Sequence, residues 1–91
     1  MKKDNILLKI ESILSLLKKY EHIHPEHVNS IIFLKKKYEN IKTSITNDDD
    51  LVEVVEWNKW FAPRIIYDGI NNKEILQKVD ELNLLFSNEN L

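Results

Sequence analysis

Apolar residues return every three or four positions along most of this chain, and that spacing divides it into helices. Ile6, Ile10, Ile13, Leu17 and Tyr20 lie at steps of four and three, and Leu7 and Leu14 widen the same stripe. This is one face of an amphipathic helix of about four to five turns. The run is interrupted at Glu21-His22-Ile23-His24-Pro25, because the residue before a proline resists the helical region. Pro25 suits the first position of a second helix, with Glu26 near its positive end. Val28, Ile31, Leu34, Tyr38, Ile41 and Ile45 continue the threes and fours, and Ile32 and Phe33 broaden that face. The short connection predicts an antiparallel pair of helices.

Thr46-Asn47-Asp48-Asp49-Asp50 follows. It reads as a solvated loop and also as a helix start, with Asn47 as cap and the aspartates where the helix dipole favours anions. Leu51, Val54, Val55, then Trp57 or Asn58, and Phe61 form the expected inner face of a third helix. Leu51-Val52-Glu53-Val54-Val55 has strand-like composition, but a single short strand has no partner in this chain, so the helix is preferred. Pro63 stops or kinks it, and Arg64–Asp68 is expected as a short helical turn ended by a left-handed Gly69. Asn71 and Glu74 offer a capping box for a last helix on Ile75, Val79, Leu82 and Phe86, joined by Leu76 and Leu85. The tail Ser87–Leu91 is expected to fray. The fold class is therefore all-α: an antiparallel bundle of about four helices, with a short Pro/Gly-bounded turn between the third and fourth. The 91 residues are expected to form a single domain, residues 1–91.

Composition agrees. A single Gly and two Pro leave little for the tight turns of a many-stranded sheet. The absence of Cys excludes disulfides and thiolate metal sites and fits a reducing compartment. No uninterrupted apolar run suits a signal peptide or a membrane span, so cytoplasmic residence is expected. Charge is unevenly placed. Residues 1–46 carry nine Lys against five acids, whereas residues 47–91 carry four basic residues against ten acids. An acidic flank of this kind speeds encounter with a basic partner and repels nucleic acid.

Few residues suggest bond-making chemistry. His22, His24 and His27 crowd one turn, a spacing at which imidazoles ligate Zn²⁺ or Ni²⁺ if Glu21 or Glu26 completes the shell. An exposed turn where polar side chains collect is the preferred reading, and neither a metal nor a cofactor is assigned. Glu53 and Glu56 lie three apart and share a helix face, but acid–base catalysis also needs a dry cleft. No nucleophile triad or glycine-rich phosphate loop is present, so no enzymatic activity is expected. Lys35-Lys36-Lys37, with Lys42 and Lys18-Lys19, is the one basic candidate for nucleic acid. Three consecutive helical lysines point three ways.

The densest run of unusual residues is Trp57-Asn58-Lys59-Trp60-Phe61-Ala62-Pro63-Arg64-Ile65-Ile66-Tyr67-Asp68-Gly69. One Trp and Phe61 are expected to fill the core, leaving at least one ring, with Arg64 or Asp68, for recognition. Trp, Tyr and Arg dominate binding energy at protein interfaces. Taken with the acidic stretch Asp48-Asp49-Asp50, Glu53 and Glu56, the whole chain resembles the small helical immunity proteins of bacterial toxin systems. The resemblance is one of overall character and assigns no family residue to a position. It implies an inhibitor that covers the active or substrate-binding surface of a cognate toxin, of nuclease type, with acids in place of phosphate and aromatic anchors at the centre. The expected partner-binding residues are Asp48, Asp49, Asp50, Glu53, Glu56, Trp57, Trp60, Arg64, Tyr67 and Asp68. Two alternatives stand beside it: a structural module that assembles as a homodimer, and a small helical nucleic-acid-binding regulator.

Overall fold

The computed structural model describes residues 2–88. Its elements are α1 (Lys2–Ile23), a 3₁₀ turn (Pro25–His27), α2 (Val28–Thr46), α3 (Val52–Glu56), a π-helical turn (Trp57–Phe61), α4 (Ala62–Asp68) and α5 (Lys73–Asn88). The π turn joins α3 to α4 end to end, so the chain forms four helical rods, the third being the arm Val52–Asp68. This is the all-α bundle that the apolar spacing predicts. Residues 52–56 are helical, and no strand occurs among the described residues. α1 lies between α2 and α5, and the arm packs against both α2 and α5. The bundle measures 37 × 20 × 18 Å. Of the frayed tail expected at Ser87–Leu91, Ser87 is helical, and residues 89–91 lie outside the described residues.

The core is built from the stripes read in the sequence. Ile6, Ile10, Ile13 and Leu17 of α1 meet Ile31, Leu34, Tyr38, Ile41 and Ile45 of α2, and Ile75, Val79, Leu82 and Phe86 of α5 close the other side. Full burial of each aliphatic side chain stabilises the fold by about 1.5–3 kcal/mol, before the entropy of ordering it is subtracted. Ion pairs cross the seams between the rods: Lys42 with Glu11, Lys35 with Glu21 at 3.0 Å, and Lys9 with Glu81 at 2.9 Å. The hydrogen bond from Lys9 holds the Glu81 carboxyl below its ordinary range. Such surface pairs contribute little stability singly, but they favour one alignment of the helices.

Helix ends depart from the expected capping. The first part of the aspartate run closes α2, and only Asp50 reaches the start of the third helix. Asn47 is the C-terminal cap and Asp48 is left-handed, at φ 58. The Asp48 and Asp49 N–H groups reach back to the carbonyls of Ile45 and Ser44 at 3.2 and 3.0 Å. These two bonds satisfy carbonyls that the end of a helix otherwise leaves open. α3 begins only at Val52, whose N–H donates to Asp50 Oδ1 at 3.0 Å. Asn72, not Asn71, caps α5, accepting from the Ile75 N–H at 3.0 Å. Glu74 instead accepts from the Tyr20 hydroxyl of α1.

Gly69 is not left-handed. Its φ is −98, and Asn71 takes the left-handed conformation, at φ 49. Glycine is required there for closeness: a Cβ would stand 2.8 Å from Ser30 Oγ and 3.1 Å from the Ile65 carbonyl oxygen. α4 therefore ends pressed against α2. Gly69→Ala is expected to lower stability by about 1–3 kcal/mol through overpacking, and adding Ser30→Ala should restore part of it. Thermal unfolding of the three variants measures this, and an unaffected Gly69→Ala would mean that the approach has room to spare.

Candidate functional site

The third helix carries its inward residues at strict fours: Val54, Asn58, Ala62 and Ile66. In a helix of 3.6 residues per turn, a step of four drifts by about 40°, so three steps would carry the stripe well off the core. The π turn absorbs that drift by taking up one more residue. Ala62 N–H donates to the Trp57 carbonyl, five residues back. The turn lies directly before Pro63, which stands in the first turn of α4 and has no N–H for the α-helical ladder. Ala62 and Ile66 are thereby sealed in the core.

Asn58 is fully buried. Its Nδ2 donates to the Val79 carbonyl at 3.3 Å and to Asn83 Oδ1 at 2.7 Å, and its Oδ1 accepts from the Tyr38 hydroxyl. The Val79 carbonyl can only accept, which fixes which end of the amide is nitrogen. One side chain thus ties the arm to α2 and to α5. Burial pushes the Tyr38 hydroxyl far above its ordinary value, so it remains a donor through the alkaline range.

The same register turns the aromatic residues outward. Trp57 is half-buried, with its ring edge-on to Tyr38 at 5.4 Å and Lys37 Nζ 5.4 Å from its centroid. Trp60, Phe61 and Tyr67 are 60%, 54% and 63% exposed. Phe61 therefore does not fill the core as expected. An uninterrupted α-helix would have set it seven residues below Val54 on the inner face, and the π turn swings it out.

Trp60 lines a groove of about 410 Å³ between the arm and α5. Val55, Pro63 and Leu84 give it apolar walls, with Glu56, Asp80, Lys59, Asn83 and Ser87 around them. Lys59 Nζ lies 5.0 Å from the Trp60 ring centroid. Of the residues expected to bind a partner, this groove brings together Glu56 and Trp60, with Glu53 exposed one turn before Glu56. The others are dispersed. Asp48 pairs with Lys3 at 2.8 Å, Asp50 caps α3, and Asp49 is exposed in the loop between them. Trp57 faces α2, while Arg64, Tyr67 and Asp68 are exposed along α4.

Asn83, Asp80 and Leu84 belong to the groove and were not expected there. They sit more than twenty residues from the arm's Glu56 in sequence, and only packing joins them. Asn58 had a local signal, since it stands on the four-residue stripe between Val54 and Ala62.

At the histidine turn, His24 stacks on Tyr20 and its Nδ1 lies 3.1 Å from Glu26 Oε1, with His27 Nε2 at 3.9 Å. Backbone hydrogen bonding first, and then His24, hold the Glu26 carboxyl below its ordinary range. Among the described residues, no three His, Asp or Glu side chains converge to hold a metal ion, and no helix is long and apolar enough to cross a membrane. Compared with protein-family models, curated proteins and solved structures, the chain matches none.

Asn58→Leu is expected to cost about 2–4 kcal/mol, because it strands the Tyr38 hydroxyl in the core. Adding Tyr38→Phe should recover about 1 kcal/mol or more, a coupling read from denaturant unfolding of the double-mutant cycle. Additive losses would mean that the two groups do not act together. The raised Tyr38 pKa also has a pH consequence. The unfolded chain ionises Tyr38 near pH 10 and the folded chain does not, so its contribution is complete below about pH 10 and falls above it by up to about 1.4 kcal/mol per unit. Tyr38→Phe should flatten the alkaline limb of stability against pH by that amount.

Proposed function

We propose that this chain is a binding protein of the immunity type, which neutralises a cognate toxin by covering its active or substrate-binding surface. The observation that carries the reading is the arm. Three large aromatic side chains stand exposed on a helix that is anchored through its own buried amide. Rigid aromatic residues bind with little loss of conformational freedom, and they dominate the energy of protein interfaces.

Charge supports the same face. Among the described residues, Glu11, Glu21, Glu26, Asp48 and Glu81 are matched by Lys or His; Glu53, Glu56 and Asp80 are among the acids that have no ion-pair partner, and Glu56 and Asp80 line the Trp60 groove. Unmatched acids beside aromatic anchors suit a basic surface such as the substrate groove of a nuclease. They count against a two-fold homodimer through this face, which would set like charges together. The basic run offers little to nucleic acid, since Lys35 is held by Glu21 and Lys37 lies over Trp57.

Affinity capture from the source cell, with wild-type and Trp60→Ala baits, tests the reading. The wild type should retain one stoichiometric polypeptide that arrests growth when expressed alone and is silenced by co-expression of this chain. Trp60→Ala should lose that retention by about tenfold or more, as for a central aromatic anchor. A captured polypeptide without effect on growth would remove the toxin reading.

A further inference from the structure

The groove beside Trp60 carries more information than an apolar face. Val55, Trp60, Pro63 and Leu84 form its walls, and Asn83 adds a polar group of known orientation. Asn58 Nδ2 donates to Asn83 Oδ1 at 2.7 Å, so the Asn83 carbonyl end is engaged and its NH₂ remains to be offered. Asn83 is half-buried at the groove. The site therefore presents a donor whose aim is set from the core.

The acids are placed with equal definition. The short Gly69–Asn72 connection makes the arm and α5 antiparallel. Glu56 consequently lies toward the Ser87 end on one bank, and Asp80 toward the Pro63 end on the other. Asp80 to Ser87 and Glu56 to Pro63 each span seven residues, or about 10.5 Å of helix. Neither acid has an ion-pair partner among the described residues, while Glu11 and Glu21 on α1 and Glu81 on α5 do.

From this we propose that the groove receives a basic amphipathic helix of the partner. The segment sets a large aliphatic side chain between Trp60 and Leu84, offers a hydrogen-bond acceptor to the Asn83 amide, and places Lys or Arg about seven residues apart against Glu56 and Asp80. The proposal rests on the binding-protein reading above and names the chemistry of that same site. A helix fits because cations at i and i+7 flank aliphatic residues at i+3 and i+4 on one face. Glu56 and Asp80 disfavour an acidic segment, with Lys59 over the Trp60 ring the one cation of the lining.

The test uses the whole chain, labelled with ¹⁵N, and a short synthetic helical peptide with Lys at i and i+7 around Leu at i+3 and i+4. The expected result is movement of the Trp60 indole and Asn83 side-chain amide signals. Binding should weaken by about tenfold in the Glu56→Lys/Asp80→Lys variant and vanish when the peptide's lysines are replaced by glutamates. Both substitutions are on exposed positions, and the unchanged signals of Asn58 and of the core methyl groups report that the fold is kept. Peptide-induced shifts confined to other faces would overturn the proposal. So would equal binding of the glutamate peptide, or movement of the same signals with protein concentration alone, which would assign the groove to a second copy. The two readings fail separately. If the chain silences a captured toxin and the double-lysine variant silences it equally, the groove is wrong and the inhibitor stands. If the peptide binds as described and no growth-arresting protein is captured, the inhibitor is wrong and the groove stands.

Discussion

A neutral amide sealed among three helices is tolerated only when its hydrogen-bonding groups find partners, and the packing of the third helix follows from that requirement. Asn58 meets it with the Tyr38 hydroxyl on α2 and with the Val79 carbonyl and Asn83 amide on α5. Rotation of the arm about its axis would break these bonds together. The π turn is the backbone's accommodation. It holds Val54, Asn58, Ala62 and Ile66 on one face although they are spaced by four, and it falls where Pro63 has already interrupted the α-helical ladder. A π turn inside a helix frequently marks a functional site, and here its effect is geometric.

That effect is felt at the surface. Keeping Asn58 inward sends Trp60 and Phe61 outward and leaves Trp57 edge-on to Tyr38. The side chains with most to contribute to binding are displayed on the element whose orientation is most firmly specified. Gly69, pressed against Ser30, fixes the far end of the same arm on α2. Pre-ordering of this kind lowers the entropy lost when a partner binds. Three Lys–Glu pairs close the seams between α1, α2 and α5, while Glu53 and Glu56 on the arm are left to solvent. Complementarity is the basis of the function proposed for this surface.

Much of the bundle was legible in the order of its residues. The stripes of α1, α2 and α5 lie where the three- and four-residue spacing puts them, because helices this amphipathic have one way to bury their apolar face. The ends were less legible. Asn47, Asn71 and Asp50 are all competent caps in isolation, and which of them closes or opens a helix depends on where the neighbouring rod stops. The candidate site was half legible. Trp60, Glu53 and Glu56 are conspicuous in a line of letters, whereas Asp80, Asn83 and Leu84 look like any exposed residues of a last helix.

The sequence by itself determined the helical class, the pairing of the first two rods and the segment richest in aromatic side chains, since all of these follow from short-range spacing and side-chain chemistry. Only the tertiary structure decided which aromatic rings face solvent. Phe61 was placed inside by simple periodicity and stands outside because a hydrogen bond between Asn58 and a tyrosine twenty residues earlier set the register. The groove was decided at the same level. Its two banks come from helices that are separate in the chain, and their juxtaposition is a property of packing that no local pattern records.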